Sequence, residues 1–170
     1  MNDRKPIRAF REQDELAVTN VWYRSGKLAY QFLPTWQTFT FDQARTIFRE
    51  VILSRCDIWV GMRNENVVAF LAMNDSYIDR MYVDPEEWRK GWGTALIHFA
   101  KILHPTGLEL HTHQENYPAR RLYELNGFKA ARFGMSPAPE NVPDVEYHWR
   151  PGREASTETP SQSEETTIDS

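Results

Sequence analysis

The sequence predicts an α/β (α+β) fold: one mixed, mostly antiparallel sheet of about seven strands, flanked by four helices. Three observations carry that prediction. Strand-length apolar runs at Asp57–Met62, Val67–Met73 and Ile78–Val83 follow one another across short polar turns, the pattern of sequential antiparallel strands. A helical stretch from about Trp92 to Ile102 separates the third run from Leu108–His113, and a strand reached through a helix runs parallel to the strand it left. Gly91 and Gly93 stand in the loop between strand and helix, where glycine lets backbone come close to a neighbour.

Taken in order, Ile7-Arg8-Ala9-Phe10 alternates apolar and polar as a half-buried strand does. A helix follows, with Leu16, Val18, Val21 and Trp22 among polar residues. Glu12, Asp14 and Glu15 stand at its start, where acids suit the positive end of the helix dipole. Residues 25–39 are less regular and hold Tyr30, Phe32, Trp36 and Phe39. A second helix opens on Thr40 and Gln43 in capping-box spacing, and Phe41, Ala44, Ile47, Phe48 and Val51 give it an apolar stripe. The Trp92–Ile102 helix turns Ala95, Leu96, Phe99 and Ile102 to one side and ends at Pro105-Thr106-Gly107. Asn116 opens the fourth helix, with Pro118 in its first turn, and Ala119, Leu122 and Leu125 line its inner side. Asn126-Gly127 stops it, with glycine where a left-handed residue is wanted. Phe128–Phe133 and Asp144–Trp149 read as the last two strands, joined by a stiff loop holding Pro137, Pro139 and Pro143.

The 170 residues are read as one domain, 1–150, and an acidic Ser/Thr/Glu-rich tail, 151–170, whose composition builds no core and is expected to be disordered. The net charge of −4 sits in that tail, which holds five acids and one base; residues 1–150 carry nineteen of each. A neutral domain argues against a general nucleic-acid binder. Cys56 is the single cysteine, which excludes an intrachain disulfide and a cysteine-rich zinc site. The chain opens on Met1-Asn2-Asp3-Arg4-Lys5-Pro6 with no apolar signal core, and no apolar run approaches the 18 or so residues of a membrane span. The expectation is a soluble, cytoplasmic protein with no membrane contact.

The stretch from Ile78 through Leu96 carries the first chemical signal. The first turn of a helix leaves backbone N–H groups unpaired, and they point at whatever lies there. Arg89 and Lys90 add positive charge beside that turn, so the loop reads as a phosphate seat. Together with Asn116-x-x-Ala119-x-x-x-Tyr123-x-x-x-Gly127-Phe128 and the order of elements, this stretch resembles the GNAT superfamily of acyl-CoA-dependent N-acyltransferases, in its small bacterial-type single-domain form, over roughly residues 5–150.

The resemblance implies that acetyl-CoA binds in a V-shaped gap where strands 78–83 and 108–113 splay apart. It implies a pantetheine arm paired with the backbone around Met81, Tyr82 and Val83. It places the pyrophosphate on the N–H groups of the 89–94 segment: Arg89, Lys90, Gly91, Trp92, Gly93 and Thr94. Asn116 matches the family's polar contact to pantetheine, and Tyr123 its tyrosine near the thioester sulfur. The family loop usually begins with Gln or Arg, and Trp88 stands there instead. Relatives are often dimers, which leaves a homodimer open.

Acyl transfer to an amine needs a neutral amine, a donor for the oxyanion and a proton for the thiolate. An alkylamine of pKa near 10.4 is neutral in only about one part in 10³ at pH 7, and a backbone N–H at the splay suits the oxyanion. Tyr123 is assigned as general acid; seven residues past Asn116, it shares that residue's helix face. For the base, His111 is the first candidate, since histidine exchanges protons near neutrality; Asp79 and a water chain are the alternatives. His111-x-His113 has metal-ligand residue types without an obvious third ligand, so no metal is expected. Trp22, Tyr30, Phe32, Trp36 and Trp59 could line an acceptor pocket, with Asp79 and His111 at its acyl end; an aromatic cage welcomes a cation. Cys56 precedes a strand away from both motifs, so direct transfer in a ternary complex is expected over an acyl-cysteine step. The acceptor is read as a small-molecule primary amine. Acetylation of a protein N-terminus or lysine, and a non-catalytic acyl-CoA-binding module, are the alternatives.

Overall fold

The computed structural model describes residues 4–152; most of the acidic tail lies outside the described residues. Seven strands form one sheet: β1 Ile7–Ala9, β2 Asp57–Arg63, β3 Asn66–Asn74, β4 Tyr77–Val83, β5 Leu108–His113, β6 Lys129–Met135 and β7 Pro143–Trp149, in the order β1-β2-β3-β4-β5-β7-β6. Every neighbouring pair is antiparallel except β4 and β5, which run parallel.

The period of two along β2 and β3 sorts side chains between two cores. Ile58, Val60, Phe70 and Ala72 face the first three helices: α1 Glu15–Ala29, α2 Pro34–Thr38 and α3 Phe41–Ile47. Ala69, Leu71 and Met73 face α5 Trp92–Leu103 and α6 Tyr117–Leu125, beneath Trp92, Leu96, Ile97 and Tyr123. Burying a Val, Leu, Ile, Phe or Met side chain contributes roughly 1.5–3 kcal/mol, so both faces of the sheet's first half hold it in place.

Two stretches differ from the sequence reading. The segment after Ser25 is helical as far as Ala29, and Pro34 then opens the short α2. Gly26 lets Trp36 fold back onto α1, since a Cβ there would stand 2.0 Å from the indole ring. The helix that follows has the expected box, with the Thr40 hydroxyl accepting from Gln43 N–H and Gln43 Oε1 accepting from Thr40 N–H. It widens into a π-helical segment at Phe48–Ile52 and closes as α4 Leu53–Arg55. Phe48 and Ile52 are fully buried, so the wider turn keeps the apolar stripe against the sheet.

Candidate active site

The site begins where two strands part. β4 and β5 pair only at Tyr77–Glu109 and Ile78–Leu110. Beyond that point β4 pairs with β3 alone and β5 with β7 alone. The edge of β4 from Asp79 to Val83 therefore faces a gap, and backbone groups on such an edge call for partners. One is already taken: the Trp88 indole N–H donates to the Val83 carbonyl at 2.8 Å.

Past β4, a 3-10 turn at Pro85–Glu87 leads to the glycine loop. Arg89 (φ 62°) and Gly91 (φ 86°) both adopt left-handed backbone, a conformation glycine takes without strain. Gly91 is the N-cap of α5 and offers no side chain to cap it. The first intrahelical bond runs from Ala95 N–H to the Gly91 carbonyl. The N–H groups of Trp92, Gly93 and Thr94 thus form the open, positive end of the helix. Gly93 brings α6 close, since a Cβ there would stand 2.6 Å from Leu122 Cδ2.

A cleft of about 720 Å³ runs from this helix end to the splay. Of the residues named above for the cofactor, Met81, Tyr82, Val83, Arg89, Gly91, Trp92, Gly93, Thr94, Asn116 and Tyr123 all line it. Lys90 does not: its ammonium lies 3.4 Å from Glu87. Trp88 and Glu87 line the cleft without having been anticipated as ligands. Burial pushes the Glu87 carboxyl up, but Arg63 and Lys90 outweigh it and hold the group below the usual range.

A second cleft of about 640 Å³ opens against α1–α3, walled by Trp22, Tyr30, Trp36 and Phe39 and by the loop from Met135 to Glu140. Tyr30, Asp79, Arg80, Tyr82, His111 and Thr112 line both clefts, so the two meet at the splay. The acids on the second cleft are Asp79, Glu140 and Asp144, against the single permanent cation Arg80. Three buried polar atoms without a hydrogen-bond partner among the described residues, Trp22 Nε1, Thr35 Oγ1 and His113 Nδ1, all belong to residues lining this cleft.

Two aromatic expectations are corrected here. Phe32 is exposed and lines neither cleft, with its ring 6.4 Å from that of Tyr30. Trp59 packs on Phe99 on the opposite face, because strand alternation turns it away from Ile58 and Val60.

Tyr123, in the last turn of α6, is buried beside Phe128 and Tyr147. Burial pushes its phenol far above the ordinary range, and Tyr30 and Tyr77 push the same way. Tyr147 shows what a structural tyrosine looks like in this core: its hydroxyl donates to Glu124 at 2.6 Å and accepts from Arg120 at 3.1 Å. Asn116 caps α6 by accepting from Ala119 N–H. His111 Nδ1 lies 2.9 Å from the Tyr77 hydroxyl, and its Nε2 lies 3.7 Å from Glu146. Asp79 is clamped by Arg55 at 2.9 Å and by Arg80. Cys56 lines neither cleft, and burial followed by the nearby Asp79 pushes its thiol up.

A parted parallel pair thus leads to an uncapped helix end, with Tyr123 in the lining of the same cleft. Residues 54–130 match the family model described as "Acetyltransferase (GNAT) domain". Among curated relatives, Peptidyl-lysine N-acetyltransferase YiaC of Escherichia coli (strain K12) is 26% identical over 123 residues, covering 72% of this chain and 82% of its own. Among solved structures, apo YjaB from Escherichia coli superposes with a TM-score of 0.72 at 21% identity, covering 86% of this chain and 97% of that one. The PaiA N-acetyltransferase of Thermoplasma acidophilum, solved in complex with coenzyme A, gives 0.64 at 18% identity, covering 86% and 99%. No helix among the described residues is long and apolar enough to cross a membrane.

Proposed function

We propose that this chain transfers the acetyl group of acetyl-CoA to a primary amine by direct attack within a ternary complex. The observation that carries the reading is the end of β4–β5 pairing at Ile78–Leu110, which opens a cleft continuous with the uncapped start of α5. A thioester carrier fits that path. Its pyrophosphate would take the N–H groups of Trp92, Gly93 and Thr94, with Arg89 beside them, and its pantetheine would follow the free edge of β4. A coenzyme A complex in a structural neighbour supports the same cofactor here.

The catalytic groups follow from position. Tyr123, kept protonated by burial, supplies the proton to the departing thiolate; general acids of this kind contribute about 10²–10⁴-fold. His111 takes the proton from the amine. His111 lines both clefts, and in the tautomer that donates Nδ1–H to the Tyr77 oxygen its Nε2 keeps a lone pair. Asp79 is already engaged by Arg55 and Arg80, which leaves His111 the more available group. The acceptor enters between Trp22, Tyr30, Trp36 and Phe39, past an acidic rim that draws in an ammonium group. The cleft's size lies within the range of about 300–1,000 Å³ typical of small-ligand sites, which supports a small-molecule amine.

A second reading, transfer to a lysine side chain of a peptide, is supported by the relative that carries that name. Thiol release from acetyl-CoA against a panel of small amines and lysine peptides separates the two. No turnover with any amine, despite coenzyme A binding by calorimetry, would replace both with a binding module.

A further inference from the structure

The core on the α1–α3 side draws on β2, β3 and β4 but takes no residue from β5 or β7. Two Glu-x-His tripeptides lie on that uncovered surface: Glu109-Leu110-His111 on β5 and Glu146-Tyr147-His148 on β7. Their middle residues, Leu110 and Tyr147, are buried in the opposite core, which turns all four outer side chains to one face. The antiparallel register sets Glu109 opposite His148 and His111 opposite Glu146. Directly opposed residues of such a pair have Cβ atoms about 4.5–5.5 Å apart. The result is a square of two carboxylates and two imidazoles. His148 Nε2 lies 2.7 Å from Glu146 Oε1, His111 Nε2 lies 3.7 Å from Glu146 Oε2, and ligand atoms of Glu109, Glu146 and His148 all fall within 4.8 Å of one another.

We propose that this square binds a divalent transition-metal ion of the zinc class through Glu109, Glu146 and His148, with His111 as fourth ligand. Imidazole and carboxylate together suit zinc, and two carboxylates match the charge of a dication. Zinc bonds of about 2.0–2.1 Å require the side chains to draw inward, and the partial exposure of Glu109, His111 and His148 leaves room for that. Arg150 and Arg132 balance Glu109 and Glu146 at 2.6 and 2.7 Å. The Arg150–Glu109 pair is exposed on both sides, 51% and 40%, the kind weak enough to exchange for a metal; Arg132 is 75% exposed beside a Glu146 that is 15% exposed. His113, the other histidine of β5, points elsewhere: its ring packs on Tyr30 and its Nε2 lies 3.4 Å from Glu140.

The square adjoins the active site through His111. A metal on Nε2 removes the lone pair assigned to the amine's proton, so occupancy opposes acetyl transfer. That consequence rests on the functional reading above; binding itself does not.

The test is calorimetric titration of zinc chloride into untagged, chelator-stripped full-length protein. One equivalent is expected to bind. Loss of a mere supporting residue weakens metal sites by about 10–100-fold, so His148→Ala and Glu109→Gln should each weaken this one by at least about tenfold. Glu109→Gln, an isosteric change at a half-exposed position, guards against a misfolded His148→Ala. No heat in the wild type, or undiminished binding in Glu109→Gln with an unchanged far-UV spectrum, overturns the site. In the acetylation assay, zinc should inhibit the wild type and spare His148→Ala; binding without inhibition removes His111 from the ligand set. If no amine is acetylated at all, the calorimetric arm still decides the site.

Discussion

Asn116 donates a side-chain N–H to the phenol oxygen of Tyr30 at 3.0 Å. The bond joins the C-cap residue of α1, which lines both clefts, to the N-cap residue of α6, which lines the larger one. Asn116 also accepts from Ala119 N–H at 3.3 Å, so one amide holds both the helix start and the bridge. Asn116→Ala should lower stability by about 1–2 kcal/mol in urea unfolding and raise KM for both substrates. Tyr30→Phe keeps the cap and removes the bridge together with the hydroxyl's contacts to Tyr82 and Thr112, so it should raise KM without the stability loss of a missing cap. If Asn116→Ala leaves both KM values unchanged, the bridge has no part in binding.

Removing the Tyr123 hydroxyl separates chemistry from binding. Tyr123→Phe should reduce kcat by about 10²–10⁴-fold while coenzyme A affinity by calorimetry stays at the wild-type value. Because burial holds the phenol far above its ordinary range, the proton-bearing form persists across neutral pH. An unchanged kcat would return Tyr123 to the role that Tyr147 plays.

Gly93 fixes the spacing of α5 and α6. In Gly93→Ala the new Cβ meets Leu122 Cδ2 at 2.6 Å, and overpacking of this kind costs about 1–3 kcal/mol. Because α6 carries Asn116 and Tyr123, cofactor affinity should fall along with the melting temperature. Leu122→Ala in the Gly93→Ala background removes the colliding methyl groups and should recover part of both losses, a coupling visible in a double-mutant cycle. Purely additive effects would place the damage elsewhere.

Acid sensitivity has a named contributor. Arg8 bonds Asp14 at 2.7 and 3.0 Å. That contact, opposed by burial and helped by the Arg11 N–H, holds the carboxyl below its ordinary 3.8. A depressed carboxyl contributes stability that is complete above the unfolded-state pKa and is lost as pH falls through the folded-state one. The stability gap between wild type and Asp14→Asn should therefore be constant near neutrality and shrink below about pH 4. A gap that persists to about pH 2 would exclude the ion pair as its source.

The parts of this molecule written in local pattern were legible: the antiparallel run of β2–β4, the Gly91/Gly93 loop, the Asn116 cap and the helix face carrying Tyr123. What escaped depends on packing and register. Nothing local marks Ser25–Ala29 as helical, because Gly26 lowers helix propensity and its use appears only once Trp36 folds onto it. The π segment at Phe48–Ile52 shifts the period by a fraction of a turn, too little to disturb the apolar stripe. Trp59 could have been set apart by counting from Ile58 and Val60, since a period of two puts it on the other face. Lys90 and Phe32 needed tertiary positions to be placed. Both Glu-x-His tripeptides are plain in the sequence, but only the β5–β7 register sets each glutamate against a histidine.

The two clefts share residues only where β4 and β5 have come apart. The opening between them is a window framed in part by Tyr30, Tyr82 and Thr112. Handing a group through a window imposes a size limit that neither chamber sets by itself. On the proposed function, the length of acyl chain this protein tolerates is decided by that frame, and replacing Tyr82 with a smaller residue should admit longer thioesters.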